Sequence, residues 1–514
     1  MTQITSKEWR WVIAWAIAML ILSCIPYAIA ALTAPEGWQF AGVLVNPSDA
    51  HTYLAKMRQG LEGSWLFHLT YTPEHHEPVF LYTFYLALGH LAALTQLPLV
   101  LIFHLARLAA GFWLLLTAFR FIAHVTPRLA ERQLAFVLLA STAGFGWLKA
   151  ADLDISPIDA WVPEAFVPHM LYANPHFPLA TALMLTITQR IVWPSRNKLS
   201  ALWVGIAATS LTITQPLATI TTTVVLMLFL AWRFVAHRSV PWPQIRLTLS
   251  AILFSAPVVL YDYWITKTNP VIAGWNAQNI TPAPALTDLA LGYGLTGLLA
   301  VVGGWMIARR STQDTNDGEW LVLLWATATI GLVYLPFALQ RRFIHGLHVP
   351  LGILAAMGLR HRRQLAGVVV ATGMLGMLFV WSIPLLAALQ SPAQSENAAI
   401  LFMRHEEMAA FEWLNQNGTA DDVVLASPRV GMFIPSQTKS KPFYGHVFET
   451  IDARTKIAML AAFYRGDIDA VSPRPDFIIY GPSEQALGQP EKLSDLPVRF
   501  STGNVQIYEI PDDE

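Results

Sequence analysis

One cysteine, Cys24, stands in 514 residues, so no disulfide can form within the chain. Charge is scarce: Asp, Glu, Lys and Arg make up 13% of the residues, about half of the roughly 25% typical of soluble domains. A formal net charge of −1 leaves no basic surface of the kind that binds nucleic acid. No glycine-rich phosphate loop occurs, so nothing marks a nucleotide site. The first apolar run, Trp9–Leu32, is too long for a signal-peptide core and has no small-residue cleavage site. It reads as a retained helix.

What the chain has instead is apolar length. Hydrophobic residues make up 54% of it, and its mean hydropathy is +0.44. The charges gather at one end, with 28 of the Lys, Arg, Asp and Glu residues after Gln390. The expected organisation is a membrane domain over 1–390 and a soluble domain over 391–514. Runs long enough to span, at about 20 residues or somewhat fewer where sheltered, fall at Trp9–Leu32, Leu99–Ala123, Gln133–Lys149, His176–Trp193, Leu199–Thr214, Pro216–Ala236, Arg246–Ile265, Thr287–Ala308, Glu319–Leu339, Phe343–Leu359 and Gln364–Leu389. Thr214-Gln215-Pro216 splits one overlong run into two short helices.

Val79–Gln96 is apolar enough to cross as well. If it crosses, Arg120, Arg128, Arg132, Arg190, Arg196 and Lys198 all face outward, against the excess of Lys and Arg expected on the cytoplasmic side. If it lies in the interface or re-enters, 16 of the 23 Lys and Arg before Gln390 face the cytoplasm. The fold class is therefore a polytopic α-helical membrane protein of about 11 spans plus interfacial helices, with a small C-terminal α/β domain. The N-terminus is cytoplasmic and the C-terminal domain extracytoplasmic, in a cell (plasma or inner) membrane. Two external loops are long, 33–98 and 150–175, and long loops in compact proteins are commonly functional.

In the first of these loops, Asn46-Pro47-Ser48-Asp49 opens a predicted helix over Asp49–Gln59, with Ser48 as its cap and Gly60 as its stop. Tyr53, Leu54 and Met57 share a face that suits a helix lying on the membrane. Asp49 then sits at the positive end of the helix dipole, where negative charge is favoured. It could be a base, or merely a second cap. Glu74, His75, His76 and Glu77 follow and could bind a metal, line a polar site or simply belong to a solvated loop. In the second loop, Asp152-Leu153-Asp154 could offer two carboxylates to a divalent cation, or express the acidic bias of outer loops. Arg341-Arg342 opens the tenth span on its outer side, against the charge rule, where guanidinium forks match the oxygens of a lipid phosphate. Arg107 is a weaker companion.

After about Glu396 the pattern turns soluble. Helices are expected over Met408–Asn417 and Glu449–Arg465, and strands over Val423–Ala426, Lys441–His446, Phe477–Tyr480 and Val505–Ile510. Gly445-His446-Val447-Phe448-Glu449 sits at a strand-to-helix turn, where His446 could contact substrate.

With these residues in view, the chain resembles the GT-C superfamily of membrane glycosyltransferases. The protein O-mannosyltransferase and aminoarabinose-transferase branch is most similar. The resemblance is carried by Asp49 with Arg58-Gln59-Gly60, by the Pro78-led stretch with Arg107-Leu108, by Gln340-Arg341-Arg342-Phe343, and by Phe411-Glu412-Trp413-Leu414 before Tyr444-Gly445-His446. It implies a polyprenyl-phosphate sugar as donor, inverting transfer, and Asp49 as general base. Arg341 and Arg342 would hold the donor phosphate, with Arg107 beside them, and Asp49 would converge with them on one cavity. The acceptor could be a glycan, lipid or protein of the envelope. A lipid or solute transporter and a non-catalytic scaffold are the rival classes.

Overall fold

The structure is a computed structural model that describes residues 4–151, 154–195, 197–310, 316–360, 362–467 and 470–511. In chain order the helices are α1 (Ser6–Leu32), α2 (Pro47–Leu61), α3 (Thr83–Thr95), α4 (Leu99–Val125), α5 (Leu129–Ser141), α6 (Val167–Tyr172), α7 (His176–Val192), α8 (Ser200–Thr214), α9 (Pro216–His237), α10 (Trp242–Thr268), α11 (Pro270–Gln278), α12 (Leu286–Ala308), α13 (Asp317–Val333), α14 (His348–Gly358), α15 (Arg363–Ala388), α16 (Glu396–Ala399), α17 (His405–Asn417), α18 (Pro428–Gln437), α19 (Ala453–Tyr464) and α20 (Pro482–Gln485). The strands are β1 (Trp38–Phe40), β2 (Phe402–Arg404), β3 (Val423–Leu425), β4 (Lys441–Pro442), β5 (Phe477–Tyr480), β6 (Val498–Thr502) and β7 (Val505–Glu509).

Each predicted span overlaps one of these helices, but α5 and α13 end at Ser141 and Val333, short of the expected Lys149 and Leu339, and α14 begins at His348 rather than Phe343. Among the described residues 7 stretches are long and apolar enough to cross a membrane: α1, α4, the run Leu129–Ala151 that contains α5, α9, α10, α12 and α15. The other four, α7, α8, α13 and α14, have 17, 15, 17 and 11 residues. Gln215 ends α8 and Pro216 opens α9, because proline fits the first helical turn but not a helix interior.

The chain folds as two compact units. The first gathers Met1–Pro26, His104–Tyr261 and Ile280–Ile383. In it α12 and α14 pack backbone to backbone. A Cβ at Gly303 would lie 2.0 Å from the Leu354 carbonyl oxygen, so only glycine permits the approach. The second gathers Tyr27–Phe103, Asp262–Asn279 and Pro384–Glu514. The first long loop and the polar tail thus share a unit.

The tail carries a 5-stranded sheet, ordered β4-β3-β5-β7-β6, with β4, β3 and β5 parallel and β7 antiparallel to both β5 and β6. One face packs on α17 and α18 through Phe411, Leu414, Val430 and Phe433. The other packs on α19 through Leu460, Phe463 and Tyr464. Outside this sheet, β1 of the first loop pairs antiparallel with β2 of the tail, Trp38 opposite Arg404. Cations from the tail, Arg404 and Arg429, lie 4.2 and 5.3 Å from the Trp38 ring.

Several elements depart from the predicted ones. Helix α2 begins at Pro47, after a left-handed Asn46 (φ 45), so Ser48 is not its cap. Proline at the first helical position pulls the start two residues earlier, and Asn tolerates the left-handed turn. Nor does α2 present one free apolar face. Its buried residues include Ala50, His51, Thr52, Leu54, Lys56, Met57 and Gln59, all round the helix. Helix α3 covers one side and α18 the other. Over Val79–Gln96 the helix itself is only Thr83–Thr95, ended by left-handed Tyr82 (φ 53) and Gln96 (φ 57). The strand expected to reach His446 stops at Pro442, and the helix expected from Glu449 begins at Ala453. Residues 443–452 form an irregular turn.

Candidate functional site

Asp49 lies in the first turn of α2. Its Oδ1 is 3.2 Å from His446 Nε2, and its side chain is 47% exposed against 3% for the histidine. The contact comes from the turn after β4. Gly431 of α18 and Gly445 pack so closely that a Cβ on Gly431 would lie 2.1 Å from the Tyr444 carbonyl oxygen. Two glycines at that crossing let the turn approach α2.

Two helical turns along the same face of α2 from Asp49 lies Lys56. It is buried, with Nζ 2.6 Å from Glu449 Oε1, 3.0 Å from Thr52 Oγ1 and 4.3 Å above the Tyr82 ring. Burial pushes the Lys56 ammonium below the usual lysine range, and the Glu449 carboxylate, with Asp49 behind it, pulls it back. One turn of the tail, residues 446–449, thus meets one face of α2 twice. A second bridge lies nearby: Lys456 Nζ is 2.5 Å from Glu74 Oε1. Tyr71 Oη donates to the Met432 carbonyl at 2.8 Å, and Thr450 Oγ1 donates to the Tyr71 carbonyl at 2.8 Å. Burial raises the Tyr71 phenol well above its ordinary value, keeping it a donor.

His51 is buried in the same helix. Its Nδ1 is 3.2 Å from Ser436 Oγ, and burial lowers its pKa to about 3. Arg58-Gln59-Gly60 is accounted for by packing. Arg58 donates to the Gln437 carbonyl and Asn415. Gln59 pairs with both backbone groups of His68. A Cβ on Gly60 would lie 2.0 Å from the Leu86 carbonyl oxygen of α3.

His76 is held by backbone on both ring nitrogens: Nε2 accepts from Leu69 N–H at 2.9 Å, and Nδ1 lies 2.8 Å from the Glu77 carbonyl. It has no lone pair to offer a metal or substrate, while His75 and Glu77 are exposed beside it. Asp154 is exposed and Asp152 lies outside the described residues. Among the described residues no three His, Cys, Asp or Glu side chains group so as to hold a metal ion.

The second loop does have a buried acid, Asp159, whose Oδ2 accepts from Gly144 N–H at 3.0 Å and Gly146 N–H at 2.8 Å. Burial raises its pKa to about 7, against the pull of those two N–H groups.

Arg107 is 1% exposed. Its guanidinium donates to Ser23 Oγ at 3.1 Å, to His104 Nδ1 at 3.2 Å and to the Leu171 carbonyl. Those partners make it an internal tie rather than a surface fork. Arg341 and Arg342 lie in a 3-10 turn, Gln340–Ile344, ahead of α14 rather than inside it. The turn is sewn to the 281–284 segment: Arg341 N–H donates to the Thr281 carbonyl at 3.1 Å, and Gln340 Oε1 accepts from Ala283 N–H at 2.9 Å. The Arg341 guanidinium lies 5.0 Å from the Trp161 ring, and its buried Nε makes no hydrogen bond.

The arrangement is a helical chain with 7 stretches long and apolar enough to cross a membrane among the described residues, and a long first loop paired with the tail that carries a small sheet. Among solved structures the chain is similar to ArnT from Cupriavidus metallidurans in the apo state (12% identity, 96% of this chain, 97% of that one, TM-score 0.55). It is similar to the same protein bound to undecaprenyl phosphate (12%, 96%, 98%, 0.51). It is also similar to the oligosaccharyltransferase AglB from Archaeoglobus fulgidus in complex with an inhibitory peptide and a dolichol-phosphate (11%, 93%, 70%, 0.54). No protein-family model matches the sequence, and a search of curated proteins gives no match.

Proposed function

We propose that the chain is a membrane glycosyltransferase that moves a sugar from a polyprenyl-phosphate carrier to an envelope acceptor on the outer face of the membrane. The observation that carries this reading is Asp49: a half-exposed carboxylate in the first turn of a buried helix, with Oδ1 3.2 Å from His446 Nε2. The fold neighbours support the donor class, since one is bound to undecaprenyl phosphate and another is in complex with a dolichol-phosphate.

In this mechanism Asp49 takes the proton of the acceptor hydroxyl or amine as that atom attacks the anomeric carbon. The bond to phosphate breaks on the opposite face, which inverts the centre. The carrier leaves as a phosphate monoester, one negative charge richer than the diester it came from. Arg341 and Arg342 stabilise that developing charge. Arg107 is assigned to holding its own helices together and not to the donor.

Asp49→Asn keeps the shape and removes the base. In membranes supplied with polyprenyl-phosphate sugars it is expected to lower transfer by about 10²-fold or more. Transfer at the parent rate removes Asp49 from catalysis. Arg341→Ala and Arg342→Ala are expected to raise the donor KM and lower kcat together. An effect on neither detaches the pair from the phosphate.

A further inference from the structure

We infer that His446 is a positioning residue: the polar tail of the chain supplies the hydrogen bond that aims the Asp49 carboxylate. The inference rests on the reading of Asp49 as the base.

The direction of the bond follows from the other side of the ring. His446 Nδ1 accepts from the backbone N–H groups of Phe448 and Glu449, each at 3.2 Å. A ring nitrogen that accepts two N–H groups carries no proton, so the ring hydrogen sits on Nε2. Nε2 is the atom 3.2 Å from Asp49 Oδ1. The histidine therefore donates and the carboxylate accepts. Both ring nitrogens are engaged, so His446 has nothing left to offer an acceptor, whereas Asp49 remains 47% exposed. The substrate contact expected of His446 from sequence gives way to a contact with the base.

The ring is held as firmly as it holds. His446 is 4% exposed. Thr450 Oγ1 accepts from the N–H groups of Gly445 and His446, each at 3.2 Å, closing the turn on itself. Glu449, three residues on, is tied to Lys56 of the same helix that bears Asp49. The turn therefore cannot rotate about the Asp49 contact without breaking a buried ion pair. A carboxylate fixed at one oxygen has a fixed plane, so its second oxygen points in one direction. For a base, that removes orientational freedom that would otherwise be lost in the transition state.

The test uses the full-length chain in proteoliposomes with a panel of undecaprenyl-phosphate-linked pentoses and hexoses. The donor fastest released as undecaprenyl phosphate by the parent chain serves as the probe. His446→Ala is expected to lower kcat about 10- to 100-fold with the donor KM within about twofold, the signature of a misaimed group. His446→Gln keeps an N–H at the same reach and is expected to recover most of that loss. In an Asp49→Asn background, His446→Ala is expected to cost nothing further, because it acts only through the carboxylate. The inference is overturned if His446→Ala leaves kcat intact, if the loss falls on KM, if Gln rescues nothing, or if the loss is undiminished beside Asp49→Asn. An Asp49→Asn enzyme that transfers at the parent rate sinks the base reading instead, and the two failures are told apart by that single variant.

Discussion

At the scale of single residues, the turn that meets Asp49 is anchored by a lysine that no motif marks. Lys56 sits seven residues from Asp49, a spacing that puts both on one helix face, yet a lone lysine in an external loop reads as a solvated charge. Its burial becomes visible only when the tail brings Glu449 to 2.6 Å. Removing one partner of such a pair leaves an uncompensated buried charge, at a cost of about 3–5 kcal/mol, whereas an apolar pair of similar volume is close to neutral. Glu449→Ala is therefore expected to lower the melting temperature of the detergent-solubilised protein markedly. The double variant Lys56→Met with Glu449→Leu is expected to recover most of the stability. If Glu449→Ala melts with the parent, the pair does not secure the turn. The place of Asp49 in the first turn of a helix is legible from sequence, because an acid at a helix start beside a membrane stands out. Its partner was half legible: the Gly-His-Glu turn was noticed, but a contact between residues so far apart in the chain leaves no local trace.

At the scale of elements, periodicity located the longer helices and missed what holds them together. Both α2 and α3 could be read from apolar spacing. Their contact could not, because it is made by glycines, which carry no hydropathy signal. A Cβ on Gly89 would lie 1.9 Å from the Met57 carbonyl oxygen, and one on Gly60 2.0 Å from that of Leu86. Backbone atoms cannot swing aside as a flexible side chain can, so a methyl group at either site must push the helices apart. Gly89→Ala is expected to destabilise by about 1–3 kcal/mol or more and to lower transfer by displacing α2, read as a drop in both melting temperature and kcat. Wild-type values for both would mean that the two helices slide freely. Helix α18 escaped the sequence reading for a different reason. Ser427-Pro428 is a sound helix start, and the Ser427 side chain does accept from Val430 N–H, but Pro435 inside the segment reads as a breaker. The strands β1 and β2 are three residues each, too short for any alternation to register.

At the scale of the whole molecule, the shift of charge at Gln390 says where the polar chain begins, and contacts say that the first loop belongs to the same unit as the tail. The orientation of both depends on one short helix. With 13 residues, α3 is about 20 Å long against the roughly 30 Å of a hydrocarbon core. The left-handed residues Tyr82 and Gln96 stop it from being extended at either end. One side of it is buried by Tyr85, Leu86, Gly89 and Ala92, while Leu91 and Leu94 are exposed. A helix stopped at both ends, with protein on one face and exposed leucines on the other, fits the expected interfacial placement. If the eleven apolar runs expected from the sequence each cross and α3 does not, the number of crossings is odd and the two termini lie on opposite sides of the membrane. On that expectation the Lys and Arg distribution would put the N-terminus in the cytoplasm. A reporter that matures only outside the cytoplasm, fused after Glu514, is therefore expected to be active. One that works only in the cytoplasm is expected to be silent at the same position. The reverse pair of signals would mean that the count of crossings is even, and the base assigned to Asp49 would then have to find its acceptor on the other side.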